Sequence, residues 1–148
     1  MTADEAFFQK RMHVFCYLAN TTFEQEGFFV EEITYTEAVL QEYKVGMGSF
    51  SEKLPEVART FHAFTEASFA EGALDQKQKQ LIALAISVYA HNEHCIVYHT
   101  KGCLDNGSTE EEMMEAIGVA AALGGGSAMS QGVTVLQDAL EDFRTSMQ

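Results

Sequence analysis

The chain has 148 residues and a mass of 16.4 kDa, the size of one domain that buries about 68–70% of its unfolded surface. Its 47% hydrophobic and 21% charged residues exclude a disordered or low-complexity protein. Nine basic residues against 22 acidic ones give a net charge of −13, which argues against nucleic acid and anionic membrane surfaces as partners. The charge is uneven. Residues 1–56 hold ten acids and four bases, residues 57–103 hold four of each, and residues 104–148 hold eight acids and only Arg144. The acidic flanks read as solvated helix faces.

One proline and a near absence of alternating β-branched stretches predict an all-α fold, a compact bundle of about six to seven helices. Residues 4–20 read as a first helix with Phe7, Phe8, Met12, Phe15, Leu18 and Ala19 on one face. Residues 21–34 are irregular, with an extended stretch at Phe28–Val30. Residues 1–34 therefore read as an N-terminal helical extension, too short to fold alone, and residues 35–148 as the main domain. A helix over 35–45 is expected to end at Gly46 and Gly48. Pro55 suits the first turn of the next helix, which runs to about Glu71 with Val57, Phe61, Phe64 and Phe69 inward.

Asp75 with Gln78 forms a capping-box start. The helix after it carries Leu81, Ile82, Leu84, Ala85, Ile86 and Val88. It is apolar over much of its circumference, so it is expected at the centre. His91-Asn92-Glu93-His94 turns the chain into a helix from about Glu93 to Asn106. Ser108 with Glu111 opens another, with Met113, Ile117, Ala120 and Ala121 as its stripe. Gly124-Gly125-Gly126 breaks it, and a last helix takes residues 127–144 with Met129, Val133, Leu136, Leu140 and Phe143 apolar.

The N-terminal residues do not form a secretory signal. The run from Leu81 to Ala90, interrupted by Ser87, is too short to span a bilayer. Three cysteines without an export signal predict reduced thiols and a cytoplasmic protein.

The neutral middle carries the chemistry. Cys95 and His99 are four apart, so a helix places them on one face, where an imidazole can take the thiol's proton. A helix start near Glu93 would also put Cys95 in the first turn, where free N–H groups lower a thiol pKa. Cys103 shares that face, but about 12 Å of helical rise separates it from Cys95, too far for a disulfide. Cys103 and Cys16 therefore read as core residues. His91, His94, Cys95 and His99 are competent zinc ligands, but His91, Cys95 and His99 share a face only on an unbroken helix, and no CxxC pair or carboxylate cluster completes a site. The prediction is accordingly no metal and no cofactor.

The chain resembles the carboxymuconolactone decarboxylase-like superfamily, which includes the AhpD-type alkyl hydroperoxidases. The resemblance covers roughly residues 50–143. Its blocks are Leu54-Pro55, Gly72-Ala73-Leu74, Lys79 to Ala85, Cys95-Ile96-Val97-Tyr98-His99, Gly107 to Glu112, Glu115-Ala116 and Gly124-Gly125-Gly126. It implies an all-helical, AhpD-like fold that assembles as a homotrimer or homohexamer. AhpD-like members use a Cys-x-x-Cys pair, a histidine four after the second cysteine and a glutamate twelve before the first. Here the second cysteine is Cys95 and the histidine is His99. The first cysteine falls on Asn92 and the glutamate on Gln80.

Without a thiol at position 92 no vicinal disulfide closes, and an amide at position 80 is no general base. The surviving scheme is a peroxidase-like, thiol-dependent oxidoreductase with one cysteine. Cys95 attacks a peroxide, His99 assists, Gln80 orients, and an external thiol or another subunit's cysteine reduces the product. His94, Tyr98 and Asn92 are candidate substrate-binding residues. Two alternatives remain. One is a non-catalytic helical oligomer. The other is a decarboxylase acting on a lactone acid, with His91, His94, His99, Lys101 and Arg59 as candidate anion-binding groups.

Overall fold

A computed structural model describes residues 33–146. The readings made on the first helix, Cys16 and the extended stretch near Phe28 lie outside the described residues. Within them the chain forms six helices and no strand: α1 Tyr35–Lys53, α2 Pro55–Phe69, α3 Gln76–Tyr89, α4 Glu93–Asp105, α5 Glu110–Val133 and α6 Val135–Ser146.

Local chemistry sets most of the helix ends. Thr34 caps α1, and the Glu37 carboxylate bonds back to the Thr34 N–H. The helix does not stop at Gly46 or Gly48. A glycine inside a helix costs only about 1 kcal/mol, and neither of these breaks the backbone bonding. The stop comes at Leu54, which precedes Pro55 and takes φ −135° and ψ 64°, because the proline ring disfavours helical geometry in the residue before it. Asp75 and Gln78 form the expected capping box of α3. The box that opens α5 is one residue later than expected, Thr109 with Glu112 rather than Ser108 with Glu111, and Ser108 is buried.

The glycine break predicted near residue 125 exists as a kink. Gly125 has φ 68° and ψ −158°, and α5 resumes after it. The two arms of α5 then pack together, with Gly132 so tight against Ile117 that a side chain there has no room. The single last helix expected over 127–144 is instead divided at Thr134, whose φ −120° and ψ −81° are not helical. The stretch 110–145 contains an 18-residue window of mean hydropathy 1.2, long and apolar enough for a bilayer by composition. The kink interrupts it, and Met113, Ile117, Ala120 and Ala128 on it lie in the core.

The core centres on α3, α4, α5 and α6. Leu84 and Val88 of α3 meet Ile96 and Cys103 of α4, Met113 and Ile117 of α5, and Leu136 and Leu140 of α6. A second cluster seats α1, through Val39, on Val97 and Ala139. Thr36 ties the start of α1 to α6, its N–H and hydroxyl both donating to Asp142 at 3.1 and 2.7 Å. Lys77 of α3 pairs with Glu112 of α5 at 2.6 Å, and Arg144 of α6 pairs with Glu110.

Two expectations about burial fail in a consistent way. On α2 the residues read as inward, Val57, Phe61 and Phe64, are 53, 51 and 70% exposed, and only Ala58 is buried. On α3 the core face holds, but Ile82 and Ile86 on the other side are exposed. Val119, Leu123 and Val133 of α5 are exposed as well, as is Met129, which was read as part of an apolar stripe. An apolar pattern records that a face is to be covered, not by which chain.

Candidate active site

The site is built on the three-residue turn, Ala90 to Asn92, from α3 to α4. The N–H groups of His91 and Asn92 donate to Val88 O at 3.2 Å and Ser87 O at 3.0 Å, which closes the C-terminus of α3. The turn needs a left-handed residue, and His91 supplies it with φ 54° where glycine is usual. Asn92 follows as the N-cap of α4, and its Oδ1 accepts from the Cys95 N–H at 3.0 Å. The residue at the position of the family's first cysteine thus holds the backbone of the second.

His91 lies in this turn and not on α4, so the unbroken helical face that would align it with Cys95 and His99 does not form. Among the described residues no group of three or more His, Cys, Asp or Glu side chains converges in a way that could hold a metal ion.

Cys95 is half-buried in the first turn of α4. Its thiol pKa is not lowered there, as the helix-start argument expects. Burial pushes it up from the ordinary thiol value. Cys103, two turns on, is fully buried and its thiol is pushed up to about 11 by burial.

His99 follows Cys95 by one turn on the same face. Its Nδ1 lies 2.8 Å from Gln80 Oε1 of α3. A carboxamide oxygen only accepts, so Nδ1 carries the proton and Nε2 keeps a free lone pair. Burial holds the imidazole below the usual histidine pKa, so it is neutral near pH 7. Its ring is stacked on Phe69, with centroids 5.7 Å apart and planes 8° from parallel, and Tyr98 meets it edge-on at 5.3 Å. Phe69 is itself pinned. Lys79, next to Gln80 on α3, donates to the carbonyls on either side of it, Ser68 O at 2.9 Å and Ala70 O at 2.5 Å. No hydrogen bond joins the Cys95 thiol to His99 among the described residues.

The remaining sequence-predicted residues lie around this pair. Tyr98 is half-exposed, 6.1 Å from the ring of Tyr43 on α1. His94 Nε2 is 3.4 Å from the Glu42 carboxylate, also on α1. Burial raises the Tyr43 phenol pKa, and the charge of a Cys95 thiolate beside it raises it further. Sequence reasoning missed Tyr43, Phe69, Lys79 and Gly102. Their signal is spatial: Tyr43 reaches Tyr98, Phe69 reaches His99, Lys79 holds the chain around Phe69, and Gln80 fills the space at Gly102, all from a distance in sequence. Lys79 alone stood inside a recognised block.

A model of the Carboxymuconolactone decarboxylase family matches residues 55–138. The chain belongs to this family. It is similar to uncharacterized protein 4 in the cox locus of Paracoccus denitrificans, 40% identical over 82 residues, which are 55% of this chain and 74% of that protein. Among solved structures, the apo form of a carboxymuconolactone decarboxylase family protein from Legionella pneumophila aligns with TM-score 0.68 and 28% identity, over 72% of this chain and 95% of that one. A family protein from Thermotoga maritima, at 24% identity, shares the fold with TM-score 0.62 over 74% of this chain and 96% of its own. The family match begins at Pro55, so α1, with Glu42 and Tyr43, lies outside it.

Proposed function

We propose that the protein is a one-cysteine, thiol-dependent peroxidase acting on organic hydroperoxides. One observation carries the reading: Gln80 Oε1 lies 2.8 Å from His99 Nδ1, a contact that leaves Nε2 as the basic nitrogen on a ring one helical turn from Cys95. A thiol whose pKa burial raises is protonated near pH 7 and needs a base, and a half-buried neutral imidazole is that base.

The proton of the Cys95 thiol passes to His99 Nε2, directly or through one bridging water. The thiolate attacks the terminal peroxide oxygen. The S–O bond forms as the O–O bond breaks, and the leaving alkoxide takes the proton back from His99. The products are an alcohol and Cys95 sulfenic acid. Two equivalents of an external thiol then return the sulfenic acid to the thiol, giving one disulfide and one water. Asn92 cannot resolve the sulfenate, so the reductant must come from outside the motif.

Three of the five groups that a lactone decarboxylase would turn on an anion already face carboxylates. Arg59 is exposed and pairs with Glu56 at 2.9 Å, Lys101 pairs with Asp105 at 2.8 Å, and His94 faces Glu42. A homotrimer or homohexamer in the cytoplasm completes the proposal. The exposed Val57, Phe61, Phe64, Ile86 and Leu123 favour assembly, and reduced thiols favour that compartment.

The test is to treat the protein with cumene hydroperoxide and a sulfenic-acid trap. The trap is expected on Cys95 in the wild type, and its yield should fall by about 10²-fold or more in His99→Asn. Trapping on Cys103, or none on Cys95, would overturn the proposal.

A further inference from the structure

Gly102 lies one turn beyond His99 on α4. A side chain built on it meets Gln80 before anything else. Its Cβ would stand 2.5 Å from Gln80 Oε1, 2.6 Å from Cδ and 3.0 Å from Nε2. Carbon atoms do not approach so closely, so the Gln80 amide occupies the volume a side chain at position 102 would fill. The same Oε1 accepts from His99 Nδ1 at 2.8 Å. The amide therefore rests on the bare backbone of α4 and reaches along the helix to the imidazole. Phe69 closes the other side, stacked on the ring and held by Lys79.

We propose that Gly102 is a positioning residue: its missing side chain is the seat of the Gln80 amide, and that seat fixes His99 in the tautomer that leaves Nε2 basic. The inference deepens the peroxidase reading and rests on it for its chemical meaning. A free histidine favours the proton on Nε2, the tautomer that would leave no basic nitrogen there. The seat reverses that preference. Glycine within a helix is otherwise unfavourable, and Gly102 has an ordinary helical backbone that asks for no positive φ. Space for Gln80 accounts for it.

The test is nitrogen NMR of the imidazole in histidine-labelled full-length protein, above the His99 titration, paired with the rate at which iodoacetamide alkylates Cys95. In the wild type the His99 signals should report protonated Nδ1 and bare Nε2. Gly102→Ala should fold with an equal or higher Tm, because alanine favours the helix and the Gln80 amide is the flexible end of a side chain that can swing away. Its His99 should move to the Nε2–H form, and Cys95 alkylation near pH 7 should slow by about tenfold or more.

Gln80→Ala should give the same two changes, and Gly102→Ala added to it should change neither again. Retention of the Nδ1–H signature in Gly102→Ala would overturn the proposal. So would an undiminished effect of Gly102→Ala in the Gln80→Ala background. If Gly102→Ala alone fails to fold, a folded double variant supports the seat and an unfolded one refutes it. The NMR signature does not depend on turnover. A protein that shows it but traps no sulfenic acid would keep the seat and lose the peroxidase reading.

Discussion

The helix pair α3–α4 and the helix α2 are similarly rich in large apolar residues and make opposite use of them. Leu84, Val88, Ile96 and Val97 are fully buried within the protomer. On α2 only Ala58 is buried, while Val57, Phe61 and Phe64 face outward. Phe69 at the end of α2 is the exception, and it is the residue that touches the site. The core residues are thus closed inside one chain, whereas the rings that touch His99, Phe69 and Tyr98, are half-buried and half-exposed.

The largest effect expected is a core truncation. Leu84→Ala should cost about 2–5 kcal/mol in chemical denaturation, because α3 has no room to collapse around the cavity. Phe64→Ala should cost the isolated protomer less than about 0.5 kcal/mol. Equal costs would break the comparison. A charge pair on α2, Phe61→Glu with Phe64→Glu, should lower the mass seen by light scattering while far-UV circular dichroism is unchanged. A loss of helix instead would place those rings in the protomer's own core.

Within α4 the contrast is between its two thiols. Cys95 should alkylate faster than Cys103 at pH 7–8, since Cys103 is fully buried with its thiol pushed up to about 11. Both rates should climb as pH rises, because burial also lifts the Cys95 thiol. A Cys95 rate that is flat above pH 6 would mean a stabilised thiolate and would contradict the need for His99.

The smallest effect is a pH slope in stability. The folded-state pKa of His99 lies below the ordinary histidine value, so the unfolded chain binds that proton first as pH falls. The contribution is complete above the ordinary value near 6.5 and is lost as pH drops through it toward the folded value. Urea midpoints between pH 7.5 and 5 should fall, and His99→Asn should flatten that fall relative to the wild type.

The sequence made much of this legible. The helical class, the Asp75–Gln78 cap, the Pro55 start, the glycine break near residue 125 and the shared face of Cys95 and His99 all follow from rules about neighbours a few residues apart. The errors arise where distance matters. Gly46 and Gly48 were read as stops because glycine's cost was weighed without the stronger effect of Pro55 on Leu54. Phe61 and Phe64 were read as inward because periodicity reports a face and not its cover. The thiol shift had the wrong sign because a first-turn position says nothing about burial, and burial is what raises the Cys95 thiol. Gly102 looked like nothing, since only the path of the Gln80 side chain gives it meaning.

One rate tests the pairing of Cys95 with His99 most directly. Cumene hydroperoxide should consume the Cys95 thiol of the wild type, followed by mass spectrometry of the trapped sulfenic acid, at least about 10²-fold faster than in His99→Asn. Equal rates in the two proteins, or oxidation that spares Cys95, would contradict it.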